Sequence, residues 1–116
     1  MVSKVFSGTV IGIDAWIIEI EVDISVSGGV PGREGMVSIV GLPDAAVKES
    51  RDRIFPAFIS SGFVPPRGFA VVNLAPAGLR KEGAAFDLGI ALGLLASSGT
   101  LDPARLAGFA ALGEAT

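Results

Sequence analysis

The 116 residues, half of them hydrophobic, suffice for one domain built around one core. The chain has no cysteine and no histidine, which excludes disulfides, thiolate metal sites and the usual general base, so no ordinary catalytic triad can form. A net charge of −3 gives no global attraction to nucleic acid or anionic lipid, although a local basic patch stays open. The longest uncharged apolar run, residues 88–96, falls far short of the ~20 residues of a membrane-spanning helix. Gly8, Gly12 and Asp14 follow Lys4 without a signal-peptide pattern, and a cytoplasmic location is expected.

Residues 2–13 read as a first strand, β-branched and ended by Gly12-Ile13-Asp14. Residues 16–24 alternate with a period of two. Trp16, Ile18, Ile20, Val22 and Ile24 fall on one face, and Ile17, Glu19, Glu21 and Asp23 on the other, so a strand with one face on the core and one in water is expected. Residues 25–35 hold four glycines and a proline and read as a connection, and residues 36–40 as a third strand. A helix starts at Gly41-Leu42-Pro43-Asp44, where Pro43 suits the first turn and Asp44 complements the dipole. It is expected to run to about Ser60 and stop at Gly62. Val47, Ile54 and Phe58 form its apolar stripe, flanked by Phe55 and Ile59, and Asp44–Lys48, Lys48–Asp52 and Glu49–Arg53 pair on its outer side. Pro56 should kink or interrupt it.

Pro65-Pro66 marks a rigid turn, residues 69–74 a fourth strand, residues 84–98 a second helix ended by Gly99, and Asp102-Pro103 a short helical turn. Residues 109–113 read as the start of a fifth strand. The resulting order, β-β-β-α-β-α, with helices following runs of strands, predicts an α+β two-layer sandwich. The apolar run up to Gly113 resembles no natural linker or tail, which suggests a domain cut from a longer protein.

Residues 79–93 have the form of a site: a polar, glycine-containing turn opening into a helix of small residues. That helix start carries Gly83, Ala84 and Ala85, with no nucleophile. Its free N–H groups suit an anion, while Gly89, Ala91, Gly93 and Ala96 equally suit close packing on the sheet. Asp87 fits a capping or dipole role. No glycine is followed by lysine, so no phosphate-cradling P-loop is present, and a Ser–Lys dyad arises only if folding assembles one. Glu19, Glu21 and Asp23 point the same way about 7 Å apart, which fits a solvated strand face or a hard-metal site. Lys48, Arg51, Arg53, Arg67, Arg80 and Lys81 are the candidates for a basic patch toward phosphates or another subunit, against simple pairing with Glu49 and Asp52. No aromatic residue is interleaved with them, so stacking on single-stranded bases is poorly supported.

Two stretches point to a family: Val40-Gly41-Leu42-Pro43-Asp44-Ala45-Ala46-Val47-Lys48-Glu49-Ser50-Arg51, and Asn73-Leu74-Ala75-Pro76-Ala77-Gly78-Leu79-Arg80-Lys81-Glu82-Gly83-Ala84-Ala85-Phe86-Asp87-Leu88. With Gly12-Ile13-Asp14 and residues 19–25, they resemble the N-terminal domain of the ComM/YifB family of magnesium-chelatase-like bacterial proteins, over nearly the whole chain. The resemblance implies a Lon-protease-like fold, shared with the second domain of a small-subunit ribosomal protein. It also implies a downstream AAA+ ATPase module that binds ATP and magnesium, a hexameric homo-oligomer, and DNA branch migration in natural transformation. Residues 1–116 would be a single non-catalytic domain without cofactor or metal, serving assembly or DNA guidance and contacting DNA or a subunit through Lys48, Arg51, Arg80 and Lys81.

The chain departs from the family pattern at the long 25–35 connection, at Pro56, and at Ala84, where the family commonly has serine. Compared with Lon-type proteases, Ala85 matches the nucleophile position and the partner lysine would lie beyond Thr116, so peptidase activity should be absent. Two other readings are an active Lon-like hydrolase and an accessory subunit of a magnesium chelatase that binds partner proteins or a tetrapyrrole.

Overall fold

Alternation along the N-terminal third of the chain produces a long β-hairpin. In the computed structural model, which describes residues 2–25, 37–41, 44–63, 68–76 and 83–113, β1 (Val2–Ile11) pairs antiparallel with β2 (Asp14–Ser25) from Val2↔Asp23 to Ile11↔Asp14. The first strand therefore ends two residues before the expected boundary, because Gly12 and Ile13 form the turn. Gly12 has a φ of 64° and no other residue of the turn has a positive φ, the requirement of a type II′ connection matched to strand twist.

β3 (Val37–Val40), α1 (Asp44–Ser60), β4 (Phe69–Ala75) and α2 (Asp87–Ser97) complete the regular elements. The sheet order is β1-β2-β4-β3, with β4 antiparallel to β2 and parallel to β3. Both helices pack on one face of this sheet, so the chain is an α+β two-layer sandwich with the expected β-β-β-α-β-α order. Ile18, Ile20, Val22 and Ile24 of β2 face Val5, Val37, Ile39, Ala70, Val72 and Leu74 from the other strands and Ile54, Phe58, Phe86, Ile90 and Leu94 from the helical layer. Each such aliphatic or aromatic side chain contributes about 1.5–3 kcal/mol when fully buried. Trp16 continues the same face but lies beyond the helices, and remains partly exposed.

Three expectations need correction. Pro56 lies inside α1, which continues through it to Ser60. Both Pro56 and Asp52, whose carbonyl loses its hydrogen-bond donor, are on the exposed side, where water can serve that carbonyl. The second helix does not begin at residue 84: Gly83–Phe86 is a 3-10 turn, and α2 proper starts at Asp87. The fifth strand is a single parallel bridge, Phe6↔Ala110, with the Ala111 N–H donating to the Phe6 carbonyl at 2.7 Å. It goes no further because Gly113 bonds the start of α2: its N–H donates to the Ala85 carbonyl at 3.1 Å and its carbonyl accepts from Leu88 N–H at 3.0 Å.

Gly62 and Gly99, with φ of 83° and 87°, follow the two helices as expected of their stop signals. Asp102 caps the short 3-10 turn Pro103–Leu106 through the Ala104 N–H at 3.0 Å. The 25–35 connection apart from Ser25, the Leu42-Pro43 helix start and the Pro65-Pro66 turn lie outside the described residues.

Candidate functional site

The helix start singled out in the sequence is organised by a buried carboxylate. Asp87, the first residue of α2, is fully buried, and its charge sits at the positive end of the helix dipole. Arg53 reaches it from α1 as a two-pronged donor: Nε to Oδ2 at 2.6 Å and Nη2 to Oδ1 at 3.1 Å. The same Nη2 also donates to Oγ of buried Ser50 at 3.3 Å. Arg53 is 4.0 Å from Glu49, so the expected i,i+4 pair is present at its outer limit, while the closer partner is on the other helix. Ionic, directional contacts thus fix where α2 begins relative to α1. Arg53 belongs to this interior pair and not to an outward basic patch.

The small residues of α2 serve packing. A Cβ on Gly89 would lie 2.6 Å from the mobile Cδ1 end of Ile20, and one on Gly93 2.5 Å from Cγ2 of the β-branched Val22, so the close approach to the sheet calls for glycine most strictly at Gly93. The Ser3 hydroxyl donates to the Gly93 carbonyl at 2.9 Å and Ser97 Oγ to the Val22 carbonyl at 2.9 Å, with the two hydroxyls 2.6 Å apart. The anion-binding reading of this helix start loses one of its donors, since Leu88 N–H is already bonded to Gly113. Ala85 is exposed on the 3-10 turn and presents only a methyl group.

Of the proposed contact residues, Lys48 and Arg51 lie one turn apart on α1. Lys48 is exposed and pairs with Asp52 at 3.2 Å, and Arg51 lines a shallow depression with Asp52, Phe55 and Pro56. Arg80 and Lys81, like Arg67, lie outside the described residues, as does the side chain of Asp44. The acidic residues of β2 occupy the open face of the sheet, and Glu19 pairs with Lys4 of β1 at 3.2 Å. Among the described residues, no group of three or more side chains is placed to hold a metal ion, and no helix is long and apolar enough to cross a membrane.

Sequence reasoning missed the Arg53–Asp87 pair and the Ser3–Ser97 contact. The first had a signal: a lone carboxylate in the run Ala-Ala-Phe-Asp-Leu-Gly-Ile stands among apolar residues, of which Phe86, Gly89 and Ile90 enter the core, and a buried charge needs a basic partner. The second had none, because Ser3 and Ser97 are 94 positions apart.

Comparison with known proteins places these features in a family. Residues 20–115 match the family described as subunit ChlI of Mg-chelatase. The chain is 43% identical over 112 residues to the uncharacterized protein YifB of Escherichia coli, covering 97% of this chain and 21% of that protein. It is 44% identical over 95 residues to YifB of Salmonella typhimurium, covering 82% and 18% respectively. It is 43% identical over 110 residues to the competence protein ComM of Haemophilus influenzae, covering 95% and 20%. The chain thus spans about a fifth of the length of these relatives.

Proposed function

Starting from the Mg-chelatase subunit ChlI family, to which this chain belongs together with YifB and ComM, we propose that it is a non-catalytic N-terminal module of a magnesium-chelatase-like AAA+ ATPase. The parent protein would remodel DNA by branch migration during the uptake that the name of the competence protein ComM points to. The module would have a Lon-like fold and serve assembly or DNA guidance within a cytoplasmic hexameric ring.

One observation carries the non-catalytic part. The turn at the start of α2 presents Ala85 as its exposed residue, and an alanine has no atom that can attack a carbonyl. Nucleotide chemistry is assigned to the downstream module, because no glycine in this chain precedes a lysine and the residues present do not fit a P-loop cradle for ATP and magnesium. Lys48 and Arg51 on α1 are the described candidates for contact with DNA or a neighbouring subunit, and Arg80 and Lys81 join them from the sequence.

The test compares the full-length protein with a version lacking this module. Deletion should leave ATP hydrolysis measurable and lower branch migration on a synthetic junction. Unchanged branch migration would reject the role. Labelling of the isolated module by a serine-reactive fluorophosphonate would favour the hydrolase reading, and copurification with chelatase subunits the accessory-subunit reading.

A further inference from the structure

The outer surface of the helical layer carries an open apolar groove. Leu88, Leu92 and Leu95 of α2 line it together with Phe58 and Phe63 at the end of α1 and with Leu101. Its volume is about 470 Å³, and no charged residue is among its described lining. Leu88 and Phe63 are 42% and 41% exposed, so two of its large side chains stand partly in water, where covering them is favourable. A free small molecule is a poor match. Sites of that kind orient their ligand with convergent polar groups, and Ser61 and Thr100 are the only polar side chains in the described lining.

The chain itself leads to this groove. Gly113 is held against the start of α2, its N–H donating to the Ala85 carbonyl at 3.1 Å and its carbonyl accepting from Leu88 N–H at 3.0 Å. A Cβ at position 113 would stand 3.3 Å from Leu88 Cβ and 3.4 Å from Leu88 Cδ2, so the backbone runs directly against a side chain that lines the groove. Whatever follows Gly113 therefore starts one side chain away from it. From Leu88 to Leu95 the groove follows α2 for about 10 Å, a length that about three or four extended residues or two turns of helix cover. The 97% of this chain that matches YifB of Escherichia coli is only 21% of that protein, so a chain of that length has ample sequence for such a segment.

We infer that the segment following Thr116 in the longer protein lays apolar side chains into the α1–α2 groove. This rests on the reading of the chain as the leading module of a longer protein, and it gives that module a fixed junction with what comes next. The anchoring of Gly113 beside Leu88 separates this occupant from a second copy. A tethered segment docks within its own molecule, at an effective concentration in the millimolar range for a short linker. A second copy would have to meet the whole cost of association from one small groove. Docking covers Leu88 and Phe63 and sets the orientation of the next module relative to α1 and α2.

The absence of cysteine from this chain allows a clean test. Ala91→Cys places a thiol in the groove lining, in a full-length protein whose downstream cysteines are replaced by serine. N-ethylmaleimide should label it about tenfold or more slowly there than in the 116-residue chain carrying the same substitution. Equal rates would overturn the inference. A second measurement uses only the full-length protein, with the photoreactive p-benzoylphenylalanine replacing Thr100 on the exposed rim. After irradiation the cross-linked product should run at monomer mass on a denaturing gel, and mass spectrometry should map the junction to residues beyond Thr116. A product at dimer mass would overturn the inference in favour of a second copy, and a junction within residues 1–116 in favour of another part of this chain. If the groove proves open while deletion of the module still lowers branch migration, the docking falls and the proposed function stands. A junction beyond Thr116 together with unchanged branch migration retains the docking and rejects the function.

Discussion

Replacing Arg53 by methionine tests whether the buried carboxylate of Asp87 fixes the packing of the two helices. The side chain of Asp87 is fully buried and that of Arg53 is 25% exposed, so the pair is largely withdrawn from water. Truncating one partner of a buried pair costs about 3–5 kcal/mol, because the remaining charge stays desolvated. The residual exposure of Arg53 lets water approach and favours the lower end, about 3 kcal/mol. At about 4 °C per kcal/mol for a domain of this size, Tm should fall by roughly 12 °C. The reciprocal Asp87→Asn leaves the arginine with its opening to solvent and should cost less, about 1–2 kcal/mol. Removing both charges in Arg53→Met/Asp87→Leu abolishes the orphaned group, so the double variant should be more stable than Arg53→Met alone. Urea unfolding followed by far-UV circular dichroism measures all three on one scale. A loss below about 1 kcal/mol for Arg53→Met, or strictly additive losses in the double variant, would refute the idea that the pair acts as a desolvated unit.

The glycines of α2 should behave unequally on substitution by alanine, as thermal melts will show. At Gly89 the obstructing atom is the mobile Cδ1 end of Ile20, and the gain in helix propensity of up to about 1 kcal/mol offsets its displacement, leaving stability nearly unchanged. At Gly93 the new methyl meets the β-branched Val22 at 2.5 Å with Val5 also close, and a loss of about 1–3 kcal/mol is expected; a neutral Gly93→Ala would show that α2 can lift off the sheet at no cost. Ser7 Oγ is buried and makes no hydrogen bond among the described residues, so Ser7→Ala should be neutral or stabilising, whereas Ser97→Ala, which loses the link to Val22, should cost about 1 kcal/mol in the same urea assay. Equal costs for the two serines would contradict this assignment. The isolated chain, at a net charge of −3, should bind duplex DNA weakly or not at all by fluorescence anisotropy, and tight, salt-sensitive binding would contradict its role as a module that depends on its parent protein.

The open face of the sheet bears on the metal reading of Glu19, Glu21 and Asp23. Lys4 lies opposite Glu21 in the register and forms its ion pair diagonally with Glu19, so part of the acidic row is already answered by a neighbouring strand. Asn73 flanks Glu21 on the other side, from β4. A polar, exposed sheet surface accounts for this alternation without an ion.

The local pattern was enough to establish the strands, the helices and their order. The period of two in β2 and the apolar stripe through Ile54 and Phe58 each follow from side-chain direction within one element, which is a property of adjacent residues. The family was likewise legible, because its motifs are continuous stretches of chain. What local pattern cannot contain is a partner far away in sequence. Arg53 had a nearby acidic neighbour in Glu49, and only the packing of α1 against α2 shows that its closer, two-pronged contact is with Asp87, 34 positions on. The helix start that looked like a site without its nucleophile is, in three dimensions, a junction held by a buried ion pair and a carbonyl from residue 113. The sequence by itself determined that Ala85 carries no reacting atom. Tertiary structure decided what that segment does instead, because burial and long-range pairing arise only when the helices meet.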